Sequence, residues 1–144
     1  MTQAGYSKTP LLKKLGIKAG TRVLLLNAPA GYLALLGPLP AGVTLLAAPE
    51  SALDFIQLFS RESAELADWF PRLKAALASA GVLWISWPKR AARIPTDLSE
   101  NLIRDMGLRQ GLVDVKVCAV DESWSGLKFV YRLQDRAAPS AESR

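Results

Sequence analysis

Three runs in this chain are apolar without alternation: Arg22–Asn27 (RVLLLN), Leu53–Phe59 (LDFIQLF) and Val82–Trp87 (VLWISW). A strand with one wet face alternates apolar and polar residues, so continuous runs of this kind mark strands covered on both faces. Between them the spacing turns helical. Leu66, Trp69, Phe70, Leu73, Leu77 and Ala80 recur at three- and four-residue intervals. This predicts a long helix capped by Ser60 and ended by Gly81, which Pro71 kinks or restarts.

Thr9 before Pro10 predicts a first helix, with Leu11, Leu12 and Leu15 inward and Gly16 as its stop. Tyr32–Leu36 predicts a short helix after the turn Ala28–Gly31. Thr96 or Asp97 predicts the start of another, with Leu98, Leu102, Ile103 and Met106 inward. Val43–Ala47, Val113–Val120 and Leu127–Leu133 complete the strands. Strands alternating with helices predict an α/β domain built on a doubly wound, mainly parallel six-stranded sheet. Asp121–Gly126 is too short for a crossover, so the last two strands form a C-terminal antiparallel hairpin. The same argument bears on Ala48–Leu53. A parallel return takes about a dozen residues, which predicts Val43–Ala47 antiparallel to Arg22–Asn27.

The 144 residues suit one core. The expected organisation is a flexible arm over 1–8, an α/β domain over 9–133, and a disordered tail over 134–144 made of small and charged residues. The apolar stretch Val23–Pro40 is broken by Asn27, prolines and glycines, so no membrane span is expected. The N-terminus carries no signal-peptide pattern, and the lone Cys118 reads as a reduced core thiol, which makes the cytoplasm the expected location. The chain has no histidine, which excludes Ser-His-Asp and Cys-His arrangements and imidazole metal ligands; no catalytic or metal-binding set is expected. The net charge is +5, but the bases are scattered along the sequence and only Lys89–Arg93 clusters. That scatter argues against a nucleic-acid partner.

The phrase LASAGVLWISWP, together with the closing order helix, strand, antiparallel strand, resembles the class I methyltransferase fold across most of residues 20–133. The strings TPLLKKLGIK, VLLLNAPAGY, LDFIQLF, WISWPK and VDVKVCAVDESWSGLKFV resemble a bacterial family of unknown function. That resemblance implies a methyltransferase-like, Rossmann-like fold and no particular activity. Likeness to the methyltransferases implies a glycine-rich first loop, and an acidic residue after the second strand to hold the ribose of S-adenosylmethionine. Here the loop reads Asn27-Ala28-Pro29-Ala30-Gly31-Tyr32, and the second position reads Ala47-Ala48-Pro49-Glu50, where only Glu50 could serve. No room remains between Ala47 and Leu53 for a strand and two helices. The cofactor, if any, stays open.

Ligands of doubly wound sheets bind outside the carboxyl ends of the strands. The residues expected there are Asn27, Gly31, Tyr32, Glu50, Trp87, Lys89 and Trp124, with Ser60, Arg61 and Asp121 nearby. Each also has a plain structural role: Asn27 can tie its own turn, Trp87 and Trp124 can cover the core, Lys89 can be solvated, and Asp121 and Glu122 can shape a turn. As a group they suit an anionic, partly aromatic small molecule such as a nucleotide. The reading is a non-catalytic or weakly catalytic small-molecule-binding or regulatory domain. The alternatives are an S-adenosylmethionine-dependent methyltransferase on a small acceptor, and an interaction module that forms a homodimer through an exposed edge strand.

Overall fold

In β3 (Leu53–Phe59) successive side chains enter two different cores. Phe55 and Phe59 face one side of the sheet, Ile56 and Leu58 the other. In β1 (Arg22–Leu26) Val23 and Leu24 divide in the same way, and in β4 (Leu77–Pro88) so do Trp84 and its neighbours Leu83 and Ile85. The unbroken apolar runs therefore reflect burial on both faces. One face is covered by α1 (Leu11–Leu15) and α2 (Tyr32–Leu36), the other by α3 (Ser63–Ala76) and α4 (Glu100–Arg109). The computed structural model describes residues 10–136. The expected arm at 1–8 and positions 137–144 of the expected tail lie outside them. Residues of the tail that are described enter a single helical turn, α5 (Leu133–Arg136).

With β2 (Thr44–Leu46), β5 (Leu112–Ala119) and β6 (Trp124–Tyr131), the sheet has the order β2-β1-β3-β4-β6-β5. β2, β1, β3 and β4 run parallel, and β6 is antiparallel to both β4 and β5, as the short hairpin requires. Among the described residues no helix is long and apolar enough to cross a membrane.

The direction expected for the second strand is corrected: β2 is parallel to β1, not antiparallel. The reason is its length. Leu46 is level with Leu24, and Phe55 is level with Val23. Leu53 therefore begins about three residues lower and two strands across, roughly 10 Å in each direction. The straight path is about 14 Å, well inside the roughly 24 Å that seven extended steps can span. A strand this short needs no helix to carry the chain back.

The long helix is corrected too. It stops at Ala76 with Pro71 inside it, and Leu77–Ala80 already belong to β4, where Leu77 pairs with Leu53. Gly81 is a close-approach site rather than a helix stop, because an added Cβ would lie 2.8 Å from the Leu53 carbonyl oxygen. The last long helix starts at Glu100, later than expected. Its cap is Ser99, whose Oγ accepts from the Leu102 N–H at 3.2 Å.

Two polar contacts fix the helices of the α1/α2 face. The indole N–H of fully buried Trp84 donates to the Leu15 carbonyl at 2.9 Å, satisfying one of the free carbonyls at the end of α1. The Tyr32 hydroxyl donates to Gln57 Oε1 at 2.6 Å, and Gln57 Nε2 donates to Ser86 Oγ at 3.0 Å. This chain ties α2 to β3 and β4 through buried groups that would otherwise lack partners.

On the opposite face, Gly107 of α4 packs against the ring of Phe129, which stands edge-on to Phe70 with centroids 5.5 Å apart. In an exposed helix, Gly→Ala stabilises by about 1 kcal/mol. At this position an added Cβ would overlap the ring, which is fully buried and cannot turn aside. Gly107→Ala is therefore expected to destabilise by roughly 1–3 kcal/mol in urea unfolding. A neutral or stabilising result would show that α4 can slide off the sheet.

Candidate functional site

The chain leaves β1 toward β2 on one side and returns to β3 on the other, so the strand order reverses between β1 and β3. At such a reversal the connections diverge and a crevice opens above the carboxyl ends. A cavity of about 510 Å³ lies there. Asn27 enters it from the end of β1, Phe59, Ser60, Arg61 and Glu62 from the end of β3, and Glu65 from the first turn of α3. Ile94 and Trp124 close it from the loop after β4 and the start of β6.

Asn27 holds a left-handed backbone, φ 59°, one that asparagine tolerates better than most residues. Phe59 forms the apolar wall and lies edge-on to Trp124, with centroids 5.2 Å apart. Trp124 is placed by Asp121, whose Oδ1 accepts from the N–H groups of Ser123 and Trp124, each at 2.8 Å. Asp121 is thus the turn-shaping residue the sequence suggests. The Ser60 hydroxyl, nearly buried, donates to Glu65 Oε1 at 2.7 Å. Arg61 is exposed and forms no ion pair with a carboxylate among the described residues. The cavity offers an aromatic wall, one free guanidinium and two carboxylates. That set suits an amphoteric or anionic molecule with an unsaturated or aromatic part.

A second cavity, about 530 Å³, adjoins the first across Ile94. Its walls include Trp87, Pro88, Arg90, Arg93 and Leu98. The segment between the cavities is anchored to α3. Thr96 Oγ1 donates to the Arg61 carbonyl at 2.6 Å, while Asp97 accepts from the Ser63 N–H and hydroxyl, both at 2.7 Å. Asp97 is a helix cap, as its residue type suggests, but it caps α3 rather than the helix that follows it.

Of the expected ligand-binding residues, the structure brings Asn27 and Trp124 together at the first cavity and places Trp87 in the second, with only 8% of its surface exposed. The others lie elsewhere. Gly31 takes the left-handed turn before α2, φ 82°, and lines neither cavity. Tyr32 is a core residue, 3% exposed, and burial holds its hydroxyl protonated far above the ordinary phenol range. The Lys89 N–H donates to the Ser123 carbonyl at 2.8 Å, and its side chain lines neither cavity; Arg90 and Arg93 stand at the second instead. Glu50 is at the wrong end of the sheet. Its carboxylate meets Arg22, the first residue of β1, at 3.3 Å, because the link from β2 must run back to the amino end before β3 begins. Phe59, Glu62, Glu65 and Ile94 carried no site signal in the sequence: Phe59 reads as strand, the glutamates as a helix start, and Ile94 as a loop.

S-adenosylmethionine does not fit the residues present. No carboxylate stands at the end of β2, where Leu46 is followed by Ala47 and Ala48, and Glu50 is committed to Arg22. The loop after β1 holds one glycine and Pro29, which has no N–H to offer.

No protein-family model and no curated protein sequence matches the chain. Solved structures do. An S-adenosylmethionine-dependent methyltransferase from Aquifex aeolicus is 18% identical, with a TM-score of 0.62 over 83% of this chain and 86% of that one. A TehB-like S-adenosylmethionine-dependent methyltransferase from Corynebacterium glutamicum is 10% identical, with a TM-score of 0.55 over 90% and 91%. A ribosomal protein L11 methylase from Lactobacillus delbrueckii subsp. bulgaricus is 13% identical, with a TM-score of 0.55 over 85% and 75%. The fold is therefore methyltransferase-like, a six-stranded, mostly parallel sheet closed by the antiparallel β4-β6-β5 part.

Asp97 supplies a pH test of the wall between the cavities. The hydrogen bonds from the Ser63 hydroxyl and N–H hold its carboxyl below the usual carboxylate range. A carboxyl lowered by folding stabilises above its unfolded pKa, and that stabilisation disappears as the pH falls through the folded value. The melting temperature of Asp97→Ala should lie below wild type at neutral pH, and the gap should close as the pH is taken below the usual carboxylate range. A gap independent of pH would mean that Asp97 acts by packing and not as a charged cap.

Proposed function

We propose that this chain is a small-molecule-binding domain, non-catalytic or weakly catalytic, whose ligand sits in the crevice between the carboxyl ends of β1 and β3. The observation that carries this reading is the cavity at the strand reversal, where the free Arg61 stands beside the aromatic wall of Phe59 and Trp124. The ligand is anionic and partly aromatic. Its ring lies against Trp124 and its anionic group meets Arg61, with Arg90 and Arg93 within the adjoining cavity for a longer molecule. Glu62 and Glu65 add a place for an amino group, so a zwitterion is accommodated as well.

Methyl transfer from S-adenosylmethionine to a small acceptor is the second reading. It is favoured by the similarity to several such methyltransferases across most of this chain's length. The residues around the crevice weigh against it, since the ribose carboxylate and the glycines of the first loop are missing.

Calorimetry with S-adenosylmethionine, S-adenosylhomocysteine, nucleotides and aromatic carboxylates separates the two. Binding is expected among the nucleotides or aromatic acids and not with the adenosyl compounds. A charge-assisted contact contributes about 1.5–3 kcal/mol, so Arg61→Gln should weaken binding roughly tenfold or more, and Trp124→Ala should do so without altering the charge. Micromolar binding of either adenosyl compound would overturn the first reading in favour of methyl transfer. Silence across the whole panel would overturn both and leave an interaction module.

A further inference from the structure

Four of the bases that look scattered in the sequence come together in space. Lys116 on β5 and Lys128 on β6 are directly paired across the antiparallel ladder, so their side chains leave the same face of the sheet about 5 Å apart at Cβ. That face is the one bearing Trp84, the side of α1. The Lys116 ammonium donates to the Lys14 carbonyl at 3.0 Å, and the Lys14 ammonium to the Ala119 carbonyl at 3.2 Å. Lys18 follows α1 at the same place, near enough to Lys128 to act on its charge. None of these four lysines is ion-paired to a carboxylate among the described residues. Like charges directly opposite one another in a sheet are destabilising. The field is felt: partial burial and the nearby Lys116 and Lys18 lower the Lys128 pKa.

Beside these lysines, Lys128 and Val130 alternate with Phe129, which is fully buried on the opposite face, Val113 pairs with Val130, and Val82 lies next to them; Lys128, Val130, Val113 and Val82 are half-buried. Neither cavity is lined by any of the four lysines. An extended polyanion can lie across the face and meet these lysines together. A bilayer is disfavoured, because most exposed apolar residues lie off this patch: Leu33 and Leu35 on α2, Leu45 on β2, Leu108 on α4 and Leu133 on α5, while Val117 pairs with Leu127 and so points to the opposite face. Val115, at the irregularity beside Lys116, adjoins the patch, and one valine is too little apolar surface to anchor it in lipid. We infer that Lys14, Lys18, Lys116 and Lys128 form a docking face for the phosphodiester backbone of nucleic acid, bound without reading of sequence. Charge complementarity carries the inference: among the described residues four cations without a carboxylate partner and no aromatic side chain between them, in a chain of net charge +5. It revises the expectation from sequence that nucleic acid is not a partner.

The test is fluorescence anisotropy with a labelled 20-base-pair duplex of arbitrary sequence, between 50 and 200 mM salt. With four phosphate contacts the affinity falls with a log–log slope of roughly −3.6, about a hundredfold over that range. Lys116→Gln with Lys128→Gln should flatten the slope by about two, and the exposed pair Lys18→Gln with Lys116→Gln should do the same, which guards against a folding defect at half-buried Lys128. Arg72→Gln with Arg109→Gln removes the same charge from α3 and α4, on the other face, and should leave the slope unchanged. Equal weakening by that control would overturn the inference, since net charge alone would then account for binding. So would no binding at 50 mM salt. Poly-glutamate or anionic vesicles bound as tightly, with the same dependence on Lys116 and Lys128, would overturn the choice of nucleic acid. Trp124→Ala tests the crevice alone and leaves duplex binding unchanged, so the two sites fail independently.

Discussion

Seven steps of chain carry the protein from Leu46 to Leu53, from the end of one parallel strand to the start of another, with no helix between. That link is possible only because β2 is three residues long. It makes β2 an edge strand, leaves Leu45 half in water, and draws Glu50 down to Arg22 at the amino end of β1. Between Leu46 and Leu53 the chain holds no further strand or helix, and no carboxylate stands at the end of β2. The cavity is lined instead by the ends of β1 and β3, the start of α3, the loop after β4 and the start of β6.

The short helices depend on the sheet rather than on themselves. Five residues are far too few for a helix to persist alone in water, and both α1 and α2 are that short. α1 is held by its buried leucines and by the Trp84 indole bonded to its last carbonyl, and α2 by Tyr32 through Gln57 and Ser86. Leaving a buried donor or acceptor unpaired costs about 1–3 kcal/mol, so the Tyr32–Gln57–Ser86 chain specifies where α2 sits as strongly as its apolar contacts do. This is also why Tyr32 is not a ligand residue. A tyrosine just past a glycine turn reads like a crevice residue in sequence, and only the buried glutamine opposite it shows otherwise.

Much of the fold was legible in sequence because burial on both faces writes itself as an unbroken apolar run. β3 and α2 fall on the expected residues, and the hairpin follows from its short connection. What was not legible depended on pairing. The start of β4 reads as helix because Leu77 and Ala80 continue a helical spacing, yet Leu77 pairs with Leu53 and Gly81 admits the close approach. The direction of β2 turns on a strand length that the apolar run Val43–Ala47 overstates. In the crevice, Asn27 and Trp124 were accessible to reasoning because strand ends are predictable. Glu65 and Ile94 were not, since a glutamate in a first helical turn and a loop isoleucine have ordinary explanations. Asp97 shows the same limit: its type marks a cap, but the capped helix lies 34 residues back in sequence.

The lysine face follows from the same economy of chain. α1 shields Trp84, Cys118 and Val120, but at five residues it ends before the part of β5 and β6 that carries Lys116 and Lys128. A bare sheet face is usually made soluble with charges of both signs, and the opposite side of this molecule does so: Arg104 is paired with Glu100 and Asp114, and Arg109 with Asp105. On the α1 side, among the described residues, no carboxylate performs that role for the four lysines. A local rule broken without compensation elsewhere in the structure is what a functional surface looks like, because the missing counter-charge is then supplied by a partner. Cys118 lies in the same field. Burial raises its thiol pKa while Lys14 and Lys116 pull it down, so the net rise shows burial outweighing the cations there and keeps the thiol protonated.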